Sequence, residues 1–525
     1  MQVPTLEELD FALVLFLSQN EPQLYPEEEP RPRRACRVLA ALLAWQKKTS
    51  ALCPGPKCDP MLGNLGEMIA AGGFSQELFA ELHAKHGDVV RFYIGPTNLN
   101  ISVNDPELVH EVYRKCRERP HETYLFLWYL GKENLLFQRG PIVKEMRLRY
   151  GQMVAQRTQL DKLNEVCYLH FNSCLMSWTS QSGAKAVDVY AVLGPIVYDL
   201  MGTVLFDAPW LATEEGREIY RLHKKLIMEA NRWVLWPVGP VFHPGFVDYV
   251  LAIRKWRNTV GALLERKAGE MRDFPERFAD PNNRSAVQMI LTSTNVDGTP
   301  FFSRDLAIST VCGFLNGAYD TMQATIYWVI WHLAKNPRVQ QKLWDEFQSL
   351  PDKPSVDDLR QCEYLHAFIM ESMRNRPTAP VNQRVNSTED VTIGDLVVPA
   401  GTNINIPNAV TFQDERFFGA KTNEFLPERF LGNSPEAMLA RKSWTAFGEF
   451  TRMCVGQMFA LVEVKAMVHA LVTKSIIELE HPNDMGESMI EAGASQPKVH
   501  NKFHFRPRTM VATKYKAEQD NLKWW

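Results

Sequence analysis

Between Thr310 and Leu333 the chain is apolar for the length of a membrane span, yet it carries Asn316 and Asp320 near the middle. As a helix this segment would run about 36 Å at ~1.5 Å per residue, enough to cross a bilayer or a whole domain. A mid-span Asp costs at least about 2.5 kcal/mol in a bilayer. A buried helix crossing a protein, with its polar residues at a functional notch, explains both the apolar run and the interruption. That helix requires a large core around it. The chain supplies one: 525 residues, 45% hydrophobic and 23% charged. Length alone suggests about three domains, but no repeat, low-complexity tract or long Gly/Ser linker divides the sequence.

The remaining periodicity is mostly helical. Long segments run through Leu160 to Ser177, Glu214 to Ala230, Tyr249 to Arg272, Arg304 to Lys335, Arg338 to Ser349 and Cys454 to Thr473. Alternation and β-branched residues mark strands at Val89 to Ile94 with Asn100 to Val103, at Val391 to Val398, and at Asn403 to Ile406. The fold class expected is mainly α with a small β portion (α+β). A net charge of -3 gives no reason to expect a nucleic-acid partner. The nine cysteines lack regular spacing, and Cys53 and Cys58 have no second pair to complete a zinc site. Reduced thiols facing the cytosol suit this pattern better than a disulfide framework.

Cys53-Pro54-Gly55-Pro56 reads as a rigid turn and is taken as the start of the compact domain, 53–525, behind an N-terminal arm, 1–52. In the arm, Phe11 to Leu17 and Val38 to Trp45 are apolar but far shorter than the roughly 20 residues a spanning helix needs. Two short helices packed on the domain, an Arg-flanked segment lying in a membrane interface, and a presequence spoiled by Glu27 to Glu29 all remain open.

Chemistry concentrates in Phe447-Gly448-Glu449-Phe450-Thr451-Arg452-Met453-Cys454-Val455-Gly456, which leads directly into a helix. A cysteine at a helix start lies near the positive end of the helix dipole, which favours the thiolate an iron ligand must be. Arg452 can reach an anion beside it, and Phe447 can cover the sulfur from water. Taken alone, Cys454 would be one more buried thiol. Glu371 and Arg374, at i,i+3 on one helix face, would ordinarily be a surface ion pair. Arg384 follows a Pro377 and Pro380 stretch that forces extended chain, and Pro427-Glu428-Arg429-Phe430 brings another arginine.

In this order, Glu371-Ser-Met-Arg374, Pro377-Thr-Ala-Pro380-Val-Asn-Gln-Arg384, Pro399-Ala-Gly-Thr402, Pro427-Glu-Arg-Phe430 and the Cys454 loop resemble the cytochrome P-450 family. Gly317-Ala318-Tyr319-Asp320-Thr321 is similar to the oxygen-activating notch of that family's long central helix, and the Cys454 to Lys465 segment to the helix of its non-mitochondrial members. The resemblance implies a single large haem-thiolate domain and one haem b. Cys454 would be the axial ligand, donating the electron density that favours O–O cleavage. Arg147, Arg384 and Arg452 would hold the propionates, with Phe447 over the sulfur. Asp320 and Thr321 would relay protons to the oxygen being activated, while Glu371, Arg374 and Arg429 would brace the loop. No G-x-G-x-x-G dinucleotide fingerprint occurs in the sequence. NADPH electrons would therefore come through a separate reductase chain docking near Arg441, Lys442, Arg452 and Lys465. The expected setting is a monomer on the cytosolic face of the endoplasmic reticulum membrane, with the mitochondrion as the alternative.

Two departures stand out. Phe450 replaces a loop glycine that allows close backbone approach, so it should displace the loop or repack above it. Val143 stands where a Trp would give a second propionate donor. Tyr124 to Leu130, Phe314, Leu315 and Val381 suggest a large apolar substrate, with a sterol expected first and fatty acids and terpenoids next. Two other readings compete with oxygen insertion: an oxygen-independent enzyme rearranging hydroperoxides or endoperoxides, and a haem-binding sensor without turnover.

Overall fold

The central helix of the computed structural model runs Arg304–Lys335, 32 residues or about 48 Å. Ser303 caps it by accepting from the Leu306 amide, Asp305 lies in its first turn, and His332 and Lys335 lie in its last. The cap, Asp305 and Lys335 complement the helix ends, while burial keeps His332 neutral. The structure describes residues 31–71, 75–120, 129–181, 186–234, 245–280, 284–386, 388–491 and 494–508. Its principal helices are α1 (Arg31–Ser50), α2 (Pro106–Lys115), α3 (Ile142–Ala155), α4 (Arg157–Gln181), α5 (Val189–Phe206), α6 (Glu214–Val234) and α7 (Phe246–Asp273). They continue with the central helix α8, then α9 (Pro337–Phe347), α10 (Glu363–Asn375) and α11 (Gln457–Lys474).

α8 packs against α5, α7 and α11, and α11 packs along α4, so one large apolar core surrounds the central helix. The expected buried crossing is what the structure shows: Val311, Leu315, Ile326, Val329 and Ile330 are fully buried. α5 is also long and apolar enough to cross a membrane by composition. It lies mostly buried, with Leu193, Leu200 and Leu205 shielded completely, as the partner of α8.

The β portion is small. β1 (Val89–Ile94) and β2 (Asn98–Val103) form the expected hairpin, and β7 (Asn403–Ile406) adds parallel to β2, with β4 (Asn382–Val385) antiparallel beyond it. Register here is held by buried amides rather than by apolar alternation alone. Asn405 donates to Asn100 at 3.1 Å, and Gln383 donates to Asn405 at 2.7 Å. The expected strand Val391 to Val398 is instead a two-strand hairpin, β5 (Val391–Ile393) and β6 (Leu396–Val398), because Gly394 turns at φ +55°.

A helix lies ahead of the Cys53–Pro56 turn. α1 is one continuous helix through Val38 to Trp45, and its second half is docked. Gln46 donates to the carbonyls of Pro60 and Pro96, and Thr49 bonds the Tyr93 hydroxyl at 2.7 Å. A Cβ on Gly55 would lie 2.1 Å from the Arg91 carbonyl oxygen, so glycine is required by the close approach of this turn to β1. Phe11 to Leu17 lies outside the described residues.

Candidate active site

Cys454 lies three residues before α11, in the loop between Phe447 and Gly456. Its amide donates to the Phe447 carbonyl at 2.8 Å, closing the loop on itself, and the Gly456 amide donates to the sulfur. Phe447 is half-buried, its ring edge-on to Trp444 at 5.9 Å. Burial raises the Cys454 thiol pKa, while the Gly456 amide and the cations Arg119 and Arg147 oppose that rise. The side chain is nonetheless solvent-accessible.

The cations around it come from four separate places in the chain. Arg147 projects from α3 and feels both Arg119 and the Cys454 thiol. Arg384 is 1% exposed on β4, its guanidinium 4.7 Å from the Tyr113 ring centre, bonded through Nη1 to the Gln383 carbonyl. Arg452 donates to the carbonyls of Arg117, Leu135 and Gln138 at 2.7, 3.1 and 2.6 Å. Its pKa falls to about 10 through burial first, then repulsion from Arg119, Arg384 and Arg147, with Glu118 alone opposing. Arg119 was not apparent in the sequence. It is carried by the bridge between Glu118 and Val385, which seats its segment beside β4 and Arg384. Val143 is buried on α3 and offers no donor.

Arg119 and Arg147 act on the thiol and Arg384 and Arg452 lie beside them, an excess of cations that forms a poor site for a neutral or cationic group. They form a good one for an iron-bearing dianion: thiolate for the metal, arginines for two carboxylates. Haem b fits this donor set.

Above the core, α8 shows a single accessible stripe. Gly313, Asn316, Gly317, Asp320 and Thr321 are accessible while Phe314, Leu315, Ala318, Tyr319 and Met322 are buried. The spacing i, i+3, i+4, i+7, i+8 is one helix face. Open space lies over Gly317, where a Cβ would meet nothing within 4 Å. Thr321 Oγ1 donates to the Gly317 carbonyl at 2.5 Å. Asp320 lies close enough to Tyr129, Tyr220 and Tyr319 to add to the rise that burial gives their hydroxyl pKa values. Asp320 and Thr321 thus share one accessible helix face. α8 packs on α11, the helix that follows Cys454.

Several expectations need correction. Phe314 packs on Tyr150 at 5.1 Å and Leu315 is fully buried, so both face the core rather than a substrate. Val381 packs on the small apolar cluster under β1. Tyr124 to Trp128 lie outside the described residues, while Tyr129 and Leu130 are buried. Of the proposed reductase-docking cations, Arg452 is 6% and Lys465 7% exposed, with Lys465 donating to the Leu359 carbonyl. Neither can meet a partner protein, which leaves Arg441 and Lys442 at that surface. Phe450 keeps a left-handed backbone, φ +51°, and turns its ring outward onto His110 at 4.9 Å. Glu371 and Arg374 are not a surface pair: both are fully buried, joined at 2.7 and 3.0 Å, with Arg429 and the Leu426 amide also on the carboxylate.

A family model described as Cytochrome P450 matches residues 53–505. The chain is 27% identical to a cytochrome P450 monooxygenase of Eupenicillium brefeldianum over 405 residues, 76% of this chain and 78% of that protein. It is 22% identical to the mitochondrial 1,25-dihydroxyvitamin D(3) 24-hydroxylase of Rattus norvegicus over 475 residues, 87% of this chain and 89% of that one. It is 27% identical to the cytokinin hydroxylase of Arabidopsis thaliana over 453 residues, 80% and 85% of the two chains.

Proposed function

The chain belongs to the cytochrome P450 family and is a haem b monooxygenase, and from that premise we propose that Cys454 is the iron ligand and a sterol-sized lipophile the substrate. The observation carrying the site is an accessible Cys454 under the field of Arg119 and Arg147, with Arg384 and Arg452 gathered beside those two cations. When bound, haem supplies the iron at which molecular oxygen is activated. The Gly456 amide and the nearest arginines hold the Cys454 sulfur toward its thiolate form. Phe447 covers the loop behind it. Arg147, Arg384 and Arg452, together with Arg119, fix the propionate edge.

On the opposite side Thr321 commits its hydroxyl proton to the Gly317 carbonyl, so its oxygen accepts from a water molecule standing over the open face. Asp320, one residue before it, passes protons to that water. Support for a sterol comes from the relative that hydroxylates 1,25-dihydroxyvitamin D(3) and from the open space over Gly317. Fatty acids and terpenoids are the next classes to test.

Electrons reach the site from NADPH through a separate reductase meeting the surface at Arg441 and Lys442. The proposed setting is the endoplasmic reticulum membrane. Leu43 on α1, with Met61, Leu62 and Ile69 in the segments beside it, are exposed apolar side chains suited to an interface. The mitochondrion stays the alternative, since two relatives are mitochondrial hydroxylases.

The test has two readings. Reduced, CO-bound protein absorbs at the long Soret position of thiolate ligation, and Cys454→Ser abolishes that band; its survival would overturn the ligand assignment. With reductase and the best sterol, Thr321→Ala keeps consuming NADPH while product per NADPH falls. An unchanged ratio would make Thr321 an ordinary helix residue.

A further inference from the structure

Asn316 lies one helical turn before Asp320, on the accessible stripe of α8, yet its side-chain oxygen is held from behind by two buried groups. The Tyr129 hydroxyl donates to Asn316 Oδ1 at 2.5 Å, and His223 Nε2 lies 3.2 Å from the same oxygen. Tyr129 and His223 are both fully buried. His223 stacks on Trp256 at 5.0 Å and 13°, and Tyr129 meets the same indole edge-on at 5.6 Å. The bracket is therefore built from α6, α7 and the segment ahead of α3, and it is rigid.

Hydrogen-bond accounting fixes which way the amide points. Burial drives the His223 pKa down to about 4, so the ring is neutral and has one N–H to place. Its Nδ1 is buried with no partner. If Oδ1 faces the bracket, Nε2–H and Tyr129 O–H both donate to it, and only a lone pair on Nδ1 goes unmet. If the amide were reversed, its NH₂ would donate to both groups. The Tyr129 hydroxyl proton and an Nδ1–H would then be left in an aromatic enclosure with no acceptor, a costlier arrangement. The first orientation wins, and the Asn316 NH₂ is turned away from the bracket toward the open face. Among the described residues nothing accepts from Nδ2, and the side chain is part-accessible.

We propose that Asn316 is a specificity-determining residue whose fixed NH₂ donates to an oxygen acceptor on the substrate, making the natural substrate an oxygenated lipophile and not a bare hydrocarbon. This rests on reading the accessible stripe of α8 as the substrate side. The acceptor is a carbonyl, hydroxyl or ether oxygen placed about one helical turn from the carbon that reacts beside Asp320 and Thr321.

The test uses matched probes, 5α-androstane against 5α-androstan-3-one and dodecane against 2-dodecanone, with binding to the holoenzyme read by equilibrium dialysis at pH 8. Wild type is expected to bind the ketone of at least one pair about tenfold or more tightly than its hydrocarbon. Asn316→Asp keeps an acceptor for Tyr129 and His223 but has no N–H, so the ketone weakens more than its hydrocarbon and the preference is lost. Tyr129→Phe frees one side of the amide and gives a smaller loss, confined to ketones. Equal affinity for ketone and hydrocarbon in wild type overturns the inference, as does a variant that weakens both probes alike. The reduced CO spectrum of each protein is recorded separately. A wild type without the thiolate band would defeat the Cys454 assignment while leaving the ketone preference to stand or fall by dialysis.

Discussion

Phe450 is the residue whose behaviour its chemical type least foretells. A bulky side chain at φ +51° costs roughly 1–2 kcal/mol relative to ordinary backbone. The loop accepts that cost because the turn through Glu449 and Phe450 sets the direction in which Arg452 and Cys454 leave it. The ring recovers part of it by packing on His110, which is held by Glu449 at 2.9 Å. Comparing two small residues isolates the backbone contribution, since neither keeps the ring. Phe450→Gly is expected to be more stable than Phe450→Ala by about 1 kcal/mol in thermal unfolding of the holoprotein. Equal stability would show that the loop abandons the left-handed conformation when the ring is removed. The departure at Phe450 was visible in the sequence, but its resolution was not. Which way a side chain turns depends on His110, a neighbour brought in by α2 and remote along the chain.

At the scale of elements, α11 carries a buried acid that no catalytic step uses. Glu463 is 1% exposed against α4, its Oε1 has no hydrogen-bond partner, and burial raises its pKa to about 8. The native state therefore holds a proton that the unfolded chain gives up near the ordinary carboxylate value of about 4.3. Stability is greatest below that value and falls as pH rises toward 8, by an order of a few kcal/mol. Glu463→Gln copies the protonated form at every pH. It should match wild type near pH 5 and exceed it increasingly up to pH 8 in denaturant unfolding; parallel curves would mean that Glu463 is ionised in the fold. The elements themselves were unevenly legible. α6 carries strong one-sided periodicity and α7 a weaker one, and both end within a few residues of expectation. α5 is apolar nearly all round, a mostly buried helix with no polar face to give it a period, and so offers little of the usual signal. β8 (Ser475–Leu479) and β11 (Lys502–Pro507) are short, and their alternation makes sense only once paired with each other. α2 is short, but its Asp105 cap and Pro106 start are signals that sequence does carry.

For the whole molecule, the candidate site is where distant segments are forced to agree. Cys454, Arg147 and Arg384 were legible because each belongs to a short local pattern. Arg119 was not, because its place depends on a bridge to Val385 far along the chain. The same convergence makes cofactor and fold interdependent. On the proposed site, bound haem would set two carboxylates and a thiolate ligand against the four arginines. Without it they face mainly one another, and the repulsion that adds to burial in lowering Arg452 to about 10 is left uncompensated. Haem removal should therefore lower the unfolding midpoint by more than loss of buried area accounts for; a ligand held at roughly a thousandfold its Kd contributes about 4 kcal/mol. Phosphate should restore part of the loss in the stripped protein better than chloride does at equal ionic strength, since a multivalent anion can bridge two guanidinium groups. Arg119→Gln removes one repelling cation from the stripped protein and one partner from the loaded protein. The gap between their midpoints should narrow from both ends, and phosphate should help the stripped variant less. A gap that stays the same in Arg119→Gln would mean that Arg119 does not act on the bound group, and that three arginines rather than four define the site.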